Sequence, residues 1–347
     1  MAIPDYLLKM PAATPPPGVQ SNFVDPETNG EPARVVSICF TAAAVLMVAL
    51  RLYARTTLPK GQRLGWDDVT CVMALVGSIA NMVSVLLLMD VGFGRHLWDV
   101  RALDLTPQVL LLYAGLDVSY TIAAFFTKLS LLLMYHRLFQ VISTSRWLIY
   151  AGVGLITCTV VPNLTCSVLR VKRCIPAEKM AGDPYCSNWT VNVVMLTSGT
   201  FNTVADLLIL FIPIQRVLKL QSIAQARVGL LLIFSVGLIA CLSSCVRVIV
   251  VGVNRNTIDG FWNAARSAPY MITELNLGII CACVVLMRTL FRKATRAVRS
   301  RSGFFIFGKK DDSQIDLCER SEPSLKQSVR SHQEESADDV LQRIIVR

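Results

Sequence analysis

Apolar residues in this chain fall into seven long stretches separated by short polar segments. A membrane hydrocarbon core about 30 Å thick needs roughly 20 apolar residues in helical form. The stretches are apolar around nearly the whole helix, whereas a helix of a soluble protein carries an apolar stripe on one face. Backbone polar groups in lipid must be bonded within the segment, so helices are predicted. The stretches are Val35–Tyr53, Val69–Met89, Val109–Met134, Trp147–Leu169, Val191–Ile212, Val228–Val251 and Pro269–Leu290.

The pattern predicts an all-α fold, a seven-transmembrane helix bundle that occupies residues 34–292. The flanking segments are rich in proline at one end and in serine and mixed charge at the other. Such compositions bury too little apolar area to fold alone. We therefore expect a disordered extracellular tail at 1–33, and a disordered cytoplasmic tail with a basic juxtamembrane segment at 293–347.

The formal net charge of +10 is concentrated at one end of the predicted spans. Basic residues follow spans 1, 3, 5 and 7, and the positive-inside rule makes that end cytoplasmic. Only the cluster at 170–179 runs against the rule. The distribution indicates a lipid bilayer as partner and no nucleic acid. With an odd number of spans, the N-terminus is expected outside and the C-terminus in the cytoplasm. We expect the plasma membrane, with an endomembrane as the alternative.

Two of the 11 cysteines differ from the rest. Eight lie within spans and are expected to pack as small apolar residues. Cys174 and Cys186 lie in the loop between spans 4 and 5, on the predicted oxidising side, where a disulfide would close a small loop. Two free thiols are the alternative. Asn188 opens a glycosylation sequon on the same side. No histidine accompanies the cysteines, so no metal site is predicted.

Five charged side chains lie within the spans and away from their cytoplasmic ends, where each costs at least about 2.5–3.5 kcal/mol at mid-helix. Asp117, Arg247 and Glu274 fall in the outer halves of spans 3, 6 and 7, and we expect them to bind a ligand in an outer cavity. Lys128 and Asp206 lie deeper in spans 3 and 5, and we expect them to form a buried ion pair. For both groups the alternative is static pairing that sets helix register.

Several short sequence strings in and between the spans, taken together, resemble the fungal rhodopsin-domain family of seven-span membrane proteins. The resemblance covers about residues 33–292. Arg247 and Glu274 also lie at positions where that family has a charged residue. The strings are Leu64–Asp68, Gly92–His96, Phe126–Phe139, Cys174–Pro176 with Cys186, and Asp206–Pro213 with Arg216, Leu220 and Gln221.

The resemblance implies two kinds of function. The family includes receptor-like proteins of surface sensing in plant-pathogenic fungi. It also includes integral membrane proteins encoded in secondary-metabolite clusters, such as the satratoxin cluster. Some relatives carry an extra cysteine-rich extracellular domain. No cysteine precedes Cys39 in this chain, which argues against binding of a host surface through such a domain.

Retinal is not expected despite the family's name. A retinal protein needs a lysine amine for a Schiff base, usually in span 7, and span 7 has none here. Lys128 is the one clear lysine within a span, and its place in span 3 does not fit that pattern. We therefore predict no cofactor.

Two functions stay open at this stage. The first is receptor-like sensing of a small ligand, with the basic loops and tail contacting a cytoplasmic signalling protein. The alternative is a membrane-embedded enzyme of secondary metabolism, such as a cyclase. Its acid and base would come from Glu274, Asp117 and Asp206, acting on an apolar substrate. Transport is a weaker option, because paired discontinuous spans are not evident.

Overall fold

The structure, a computed structural model, describes residues 10–57, 65–138, 143–174, 188–217, 224–254, 257 and 259–307. Within these ranges the chain forms long α-helices and two short 3₁₀ turns, with isolated β-bridges in place of strands. The helices are α1 Glu31–Thr57, α2 Trp66–Asp90, α3 Pro107–Leu138, α4 Ser143–Cys174, α5 Asn188–Val217, α6 Ala224–Val253 and α7 Gly260–Phe307.

Seven of the described helices are long and apolar enough to cross a membrane. The prediction of an all-α, seven-span, multi-pass membrane protein is confirmed. The helices extend past the apolar stretches from which they were predicted. For example, α3 has 32 residues and is roughly 48 Å long at 1.5 Å per residue, so it passes through the hydrocarbon core and beyond it.

Consecutive helices from α1 to α6 pack against each other, and α3 also packs against α5. Helix α7 is the most enclosed. In its most apolar part 56% of the residues are buried, against 17% in α4 and in α6. Because α7 and α3 have neighbours on several sides, their polar side chains have protein partners instead of lipid. The bundle belongs to a compact unit that ends at Thr289.

Helix α7 continues past residue 293, where the predicted cytoplasmic tail begins, and ends at Phe307. The part from Leu290 onward falls in a second unit. A helix already nucleated by its preceding turns is extended at little cost, so α7 extends beyond its apolar stretch.

The N-terminal segment, which was predicted as a tail, contacts the bundle. Its described part, 10–30, pairs with the connection between α2 and α3: Pro11 bridges to Arg101 and Thr28 to Arg95. Asn22 N donates to Asp99 Oδ1 at 2.8 Å. The composition is too polar to fold alone, but the connection offers backbone partners. We call this end of the bundle the tail end and the opposite end the basic end.

Glycine is required where the tail meets the connection. Gly94 has φ 93°, a left-handed conformation that glycine adopts without a steric penalty. A Cβ on Gly94 would also lie 2.8 Å from Gly30 N. The backbone then closes through Asn29 N, which donates to Gly94 O at 2.9 Å. The glycine at position 94 of the string Gly92–His96 is therefore required by the backbone conformation and by the close contact with the N-terminal segment.

His96 joins the α2–α3 connection to the α6–α7 connection. Its ring stacks between Trp98, at a centroid distance of 4.4 Å, and Trp262, at 3.8 Å. Its Nδ1 is hydrogen-bonded to Asp259 Oδ2, and Leu97 N donates to the other oxygen of Asp259 at 3.1 Å. This contact ties the beginning of α7 to the end of α2.

Helices α2 and α3 approach each other most closely at Gly77. A Cβ on Gly77 would lie 2.8 Å from Ala123 Cβ and 3.2 Å from Ala123 N. Contacts that short do not occur between real side chains, so the two backbones meet only because residue 77 has no side chain. A small residue at a close helix crossing is a common solution in membranes.

We expect Gly77→Ala to destabilise the bundle by about 1–3 kcal/mol, the usual cost of overpacking. Gly115→Ala, on α3, is the matched control, because its Cβ would meet nothing within 4 Å. The measurement is the thermal unfolding midpoint of each purified variant in detergent. Equal midpoints for the two variants would show that the α2–α3 contact at Gly77 is not as close as described.

Candidate functional site

Four charged side chains meet inside the bundle, each from a different helix. Lys128 comes from α3, Asp206 from α5, Arg247 from α6 and Glu274 from α7, all within the membrane-spanning parts. Two cations and two anions sum to zero charge. A lone charge at this depth is costly and a balanced set is not, so these positions constrain each other.

Lys128 has all its hydrogen-bond donors satisfied. Its Nζ lies 2.8 Å from Asp206 Oδ1. The same nitrogen donates to the backbone oxygen of Asn202 at 2.9 Å and to Asn202 Oδ1 at 2.7 Å. An ammonium group has three donors, and these three acceptors use them. The amine that a Schiff base would need is thus bound in an ion pair.

Glu274 accepts from three helices. Tyr120 OH on α3 donates to Glu274 Oε1 at 2.9 Å, and Asn202 Nδ2 on α5 donates to the same oxygen at 2.7 Å. Arg247 Nε on α6 donates to Glu274 Oε2 at 3.3 Å. Asn202 therefore bridges the two ion pairs, because its oxygen faces Lys128 and its nitrogen faces Glu274.

Asp206 completes the set. Ser244 Oγ on α6 donates to Asp206 Oδ2 at 2.9 Å, so this carboxylate has partners on both of its oxygens. We call the whole group the polar network. Its members are Tyr120, Lys128, Asn202, Asp206, Ser244, Arg247 and Glu274.

Asp117 lies apart from the polar network. We expected it to meet Arg247 and Glu274, but in the described residues neither a hydrogen bond nor an ion pair joins it to them. Its Oδ2 accepts from Ser167 Oγ on α4. Tyr120, three residues further along α3, reaches Glu274 instead. A tyrosine carries its hydroxyl at the end of a long side chain, which spans the gap that a short aspartate does not.

Arg247 is the least satisfied member of the polar network. Its bond of 3.3 Å to Glu274 is longer than the roughly 2.7–2.9 Å of a good charge-assisted pair. Its Nη2 is buried and has no hydrogen-bond partner among the residues that the structure describes. Its Cζ lies 5.2 Å from the centre of the Tyr120 ring, within cation–π range. The guanidinium group has capacity for a further acceptor.

Two cavities flank the polar network. Cavity A lies between α3, α4 and α5, with Arg247 at its wall, and encloses ≈ 30 Å³. Cavity B lies between α3, α5, α6 and α7 and encloses ≈ 50 Å³. Lys128 lines both. Both are partly open to the surroundings and are smaller than the roughly 300–1,000 Å³ of a typical small-molecule site, so a ligand would extend through the open side.

A second group of buried charges lies at the basic end. Arg51 Nε is 2.8 Å from Asp68 Oδ1, and Arg51 Nη2 is 2.8 Å from Asp67 Oδ2. Arg55 pairs with the same two carboxylates at 2.7 and 3.1 Å. We call these four residues the basic-end cluster. It joins α1 to α2, and Arg51 Nη1 extends it to α7 by donating to Ala282 O at 2.9 Å.

The basic-end cluster was not predicted from the sequence. The basic residues at the end of span 1, which include Arg51 and Arg55, were expected to face the cytoplasm, but Arg51 is fully buried. The signal was present, because two arginines four residues apart end one span while two acids begin the next. Residues four apart share a helix face, and the short connection brings that face opposite Asp67 and Asp68.

The predicted disulfide and glycosylation site lie outside the described residues. The structure does not describe residues 175–187, which include Cys186. It also does not describe the side chains of Cys174 and Asn188. Among the residues that are described, no group of three or more histidine, cysteine, aspartate or glutamate side chains is arranged to hold a metal ion.

The bundle with its balanced buried charges is that of a seven-helix integral membrane protein. The model of the fungal rhodopsin domain matches residues 50–293, and the chain belongs to this family. No solved structure matches it.

Curated proteins from several fungi are similar to this chain. It is 30% identical to a SAT4 family membrane protein of Emericella nidulans over 69% of this chain and 58% of the relative. It is 26% identical to Fugralins biosynthesis cluster protein 2 of Gibberella zeae over 84% of this chain and 72% of the relative. It is also 26% identical to Receptor GIN3 of Arthrobotrys oligospora over 83% of this chain and 67% of the relative. The chain thus matches just over half of the first relative's length.

We expect Arg51→Gln to cost about 3–5 kcal/mol, because it leaves the two buried carboxylates with Arg55 as their one buried cation among the described residues. Arg137→Gln is the matched control. Arg137 also contacts Asp67, at 3.3 Å, but its side chain is 39% exposed, and an exposed pair contributes about 0–1 kcal/mol. The thermal midpoints of both variants in detergent measure the difference. Similar losses for both would contradict the description of the basic-end cluster.

We expect Lys128→Met and Asp206→Asn each to cost about 3–5 kcal/mol, because each leaves one buried charge unpaired. The double variant restores zero net charge and should regain more than half of the summed loss. A double-mutant cycle on thermal midpoints measures the coupling. If the two losses simply add, the two side chains do not interact.

Proposed function

We propose that the protein is a receptor-like membrane protein in which a small ligand acts on the polar network. The observation that carries this proposal is the state of the charged groups. Both buried carboxylates are held by cations and neutral donors, whereas Arg247 keeps an unused donor beside a cavity. This arrangement suits recognition better than proton transfer.

Proton-transfer catalysis has less support. A general acid must be protonated and offer its proton to the substrate. Glu274 faces Arg247, Asn202 Nδ2 and the Tyr120 hydroxyl, which are all donors, and these stabilise the ionised carboxylate. Asp206 likewise faces Lys128 and Ser244.

A ligand that repositions Arg247 would act on α7. Arg247 contacts Glu274 on α7, and eight residues later the carbonyl of Ala282 is bonded to Arg51 in the basic-end cluster. Eight residues of α-helix span about 12 Å. Helix α7 therefore links the two charged groups, and a shift or rotation of α7 would alter both. Such coupling between two sites is the physical requirement for a receptor.

The remaining expectations are consistent with this role. We propose a plasma-membrane location with the tail end outside and the basic end in the cytoplasm, where a signalling protein would bind. We also keep the Cys174–Cys186 disulfide and glycosylation at Asn188 as proposals for the tail end. Receptor GIN3 among the relatives supports the receptor class.

A membrane-embedded enzyme of a biosynthetic pathway is the second candidate. The observation that favours it is the name of one relative, Fugralins biosynthesis cluster protein 2. In this case cavity B would hold an apolar substrate, since Asp206 and Glu274 both line it. A cyclase would convert the substrate into an isomer by adding a proton at one site and removing one at another.

We expect Tyr120→Phe to impair sensing without unfolding the protein, because it removes one donor to Glu274 and leaves all charges in place. Tyr113→Phe is the matched control on the same helix, outside the polar network. Each allele, and a deletion, would replace the gene in the source organism. The readouts are the transcript profile and the metabolite profile. Transcripts that change in the deletion strain should change in the same direction, by a smaller factor, with Tyr120→Phe and stay normal with Tyr113→Phe.

The metabolite profile separates the two candidates. A receptor that is lost should reduce or redirect whole pathways without accumulation of one precursor. Accumulation of a single isomer of the missing product, in both the deletion and Tyr120→Phe strains, would support the enzyme and overturn the receptor. Normal transcripts with Tyr120→Phe in a protein shown to be folded would exclude the polar network from signalling.

A further inference from the structure

Cavity A lies at membrane depth. Its lining residues come from the membrane-spanning parts of α3, α4, α5 and α6. One part of the wall is apolar, with Phe125, Ile156 and Val160. Another part is polar and includes Asn163, which follows the helix-interior Pro162 of α4. A molecule that fits this cavity must be largely apolar and carry few polar atoms.

Only some of the donors at the wall are available to a ligand. Lys128 has used its three donors on Asp206 and Asn202. The Tyr120 hydroxyl donates to Glu274. Arg247 differs, because its Nη2 is buried without an acceptor. An unpaired buried donor on a charged group is costly, so an acceptor atom at this position would be stabilising.

Gly199 keeps space beside the guanidinium group. A Cβ on Gly199 would lie 3.5 Å from Arg247 Nη1 and 3.2 Å from Val248 Cγ2. Any larger side chain would extend into the part of cavity A next to Arg247. The absence of a side chain at residue 199 therefore leaves space next to Nη1 of the guanidinium group.

The charge balance decides what kind of acceptor fits. Lys128 and Arg247 are already matched by Asp206 and Glu274. A carboxylate ligand would add one negative charge without a counter-charge, at a depth where unbalanced charge is costly. An uncharged oxygen would accept from Arg247 and leave the balance unchanged.

We propose that cavity A binds an apolar small molecule through an uncharged acceptor oxygen, such as the carbonyl of a ketone, ester or lactone, which bonds to the guanidinium group of Arg247. This inference deepens the proposed receptor function by naming the class of its ligand, and it rests on that function for its biological meaning. Binding itself is measurable without it.

Benzophenone is a suitable probe, because it is apolar and carries one carbonyl oxygen. On irradiation its excited carbonyl takes a hydrogen atom from a nearby C–H group, and the two carbon radicals join as a C–C bond. The protein in lipid nanodiscs would be labelled, digested and mapped by mass spectrometry. We expect saturable labelling at Phe125, Ile156 or Val160. Labelling confined to the cavity B residues Leu131, Ile209 or Leu210 would overturn the proposal.

Three competitors test the acceptor oxygen. Dicyclohexyl ketone has the carbonyl and should compete, whereas diphenylmethane has the shape of benzophenone without the oxygen and should not. Diphenylacetate has a similar size and an anionic carboxylate, and should compete less well than the ketone. Equal competition by diphenylmethane would show that no oxygen is recognised. Stronger competition by diphenylacetate would show that the site prefers an anion. The absence of saturable labelling would overturn the proposal as well.

A matched pair of glycine variants tests whether the ligand binds in cavity A or in cavity B. Gly199→Ala adds a methyl group to cavity A and should weaken benzophenone binding about tenfold, as expected when one methyl overpacks a site. Gly237→Ala adds a methyl group to cavity B, against Leu210 Cδ1, and should leave binding unchanged. Weaker binding with Gly237→Ala and unchanged binding with Gly199→Ala would place the site in cavity B and overturn the proposal. Arg247→Gln, where folded, should abolish saturable labelling by benzophenone, because the carbonyl loses its donor.

The two proposals fail separately. Saturable labelling of cavity A together with normal transcripts in the Tyr120→Phe strain would retain the binding site and remove the receptor role. Altered transcripts in that strain without saturable labelling would retain the receptor role and remove this ligand class.

Discussion

The structure depends on the cost of leaving a charge unbalanced in a membrane. Each of four helices contributes one charged residue to the same place, and Asn202 connects the two ion pairs by accepting from Lys128 and donating to Glu274. Moving or rotating any one of these helices would separate opposite charges where water cannot replace the lost partner. The polar network therefore sets the register of α3, α5, α6 and α7 together.

Helix α7 has the largest share of these constraints. It carries Glu274 of the polar network, and its Ala282 carbonyl accepts from the fully buried Arg51. Between the two, Asn276 accepts from Ser78 Oγ at 2.8 Å. A helix held by polar contacts at three levels does not adjust continuously. A shift of this helix would have to exchange the partners at all three levels together.

A buried hydrogen-bond donor without an acceptor in such a network can indicate a ligand site. Lys128 and Glu274 are fully engaged, and a protein interior normally satisfies its buried donors. Arg247 Nη2 is an exception within the described residues, together with Asn29 Oδ1 at the tail end. The exception at Arg247 coincides with a cavity and with a glycine that keeps the cavity open. An unpaired donor and a cavity kept open by a glycine thus occur at the same arginine, and this coincidence supports the proposed ligand site.

The sequence by itself determined the class of the protein and most of its helices, because apolar length is a local property that lipid imposes directly. Position along the spans was also enough to group Lys128 with Asp206 and Arg247 with Glu274. The tertiary structure decided which faces meet. In a helix that is apolar all round, the sequence carries little information about orientation, so it did not show that Tyr120 would reach Glu274 where Asp117 does not. It likewise did not show that Arg51 is enclosed by α2 and α7, since only the packed neighbours determine whether an arginine near a span's end faces water or protein.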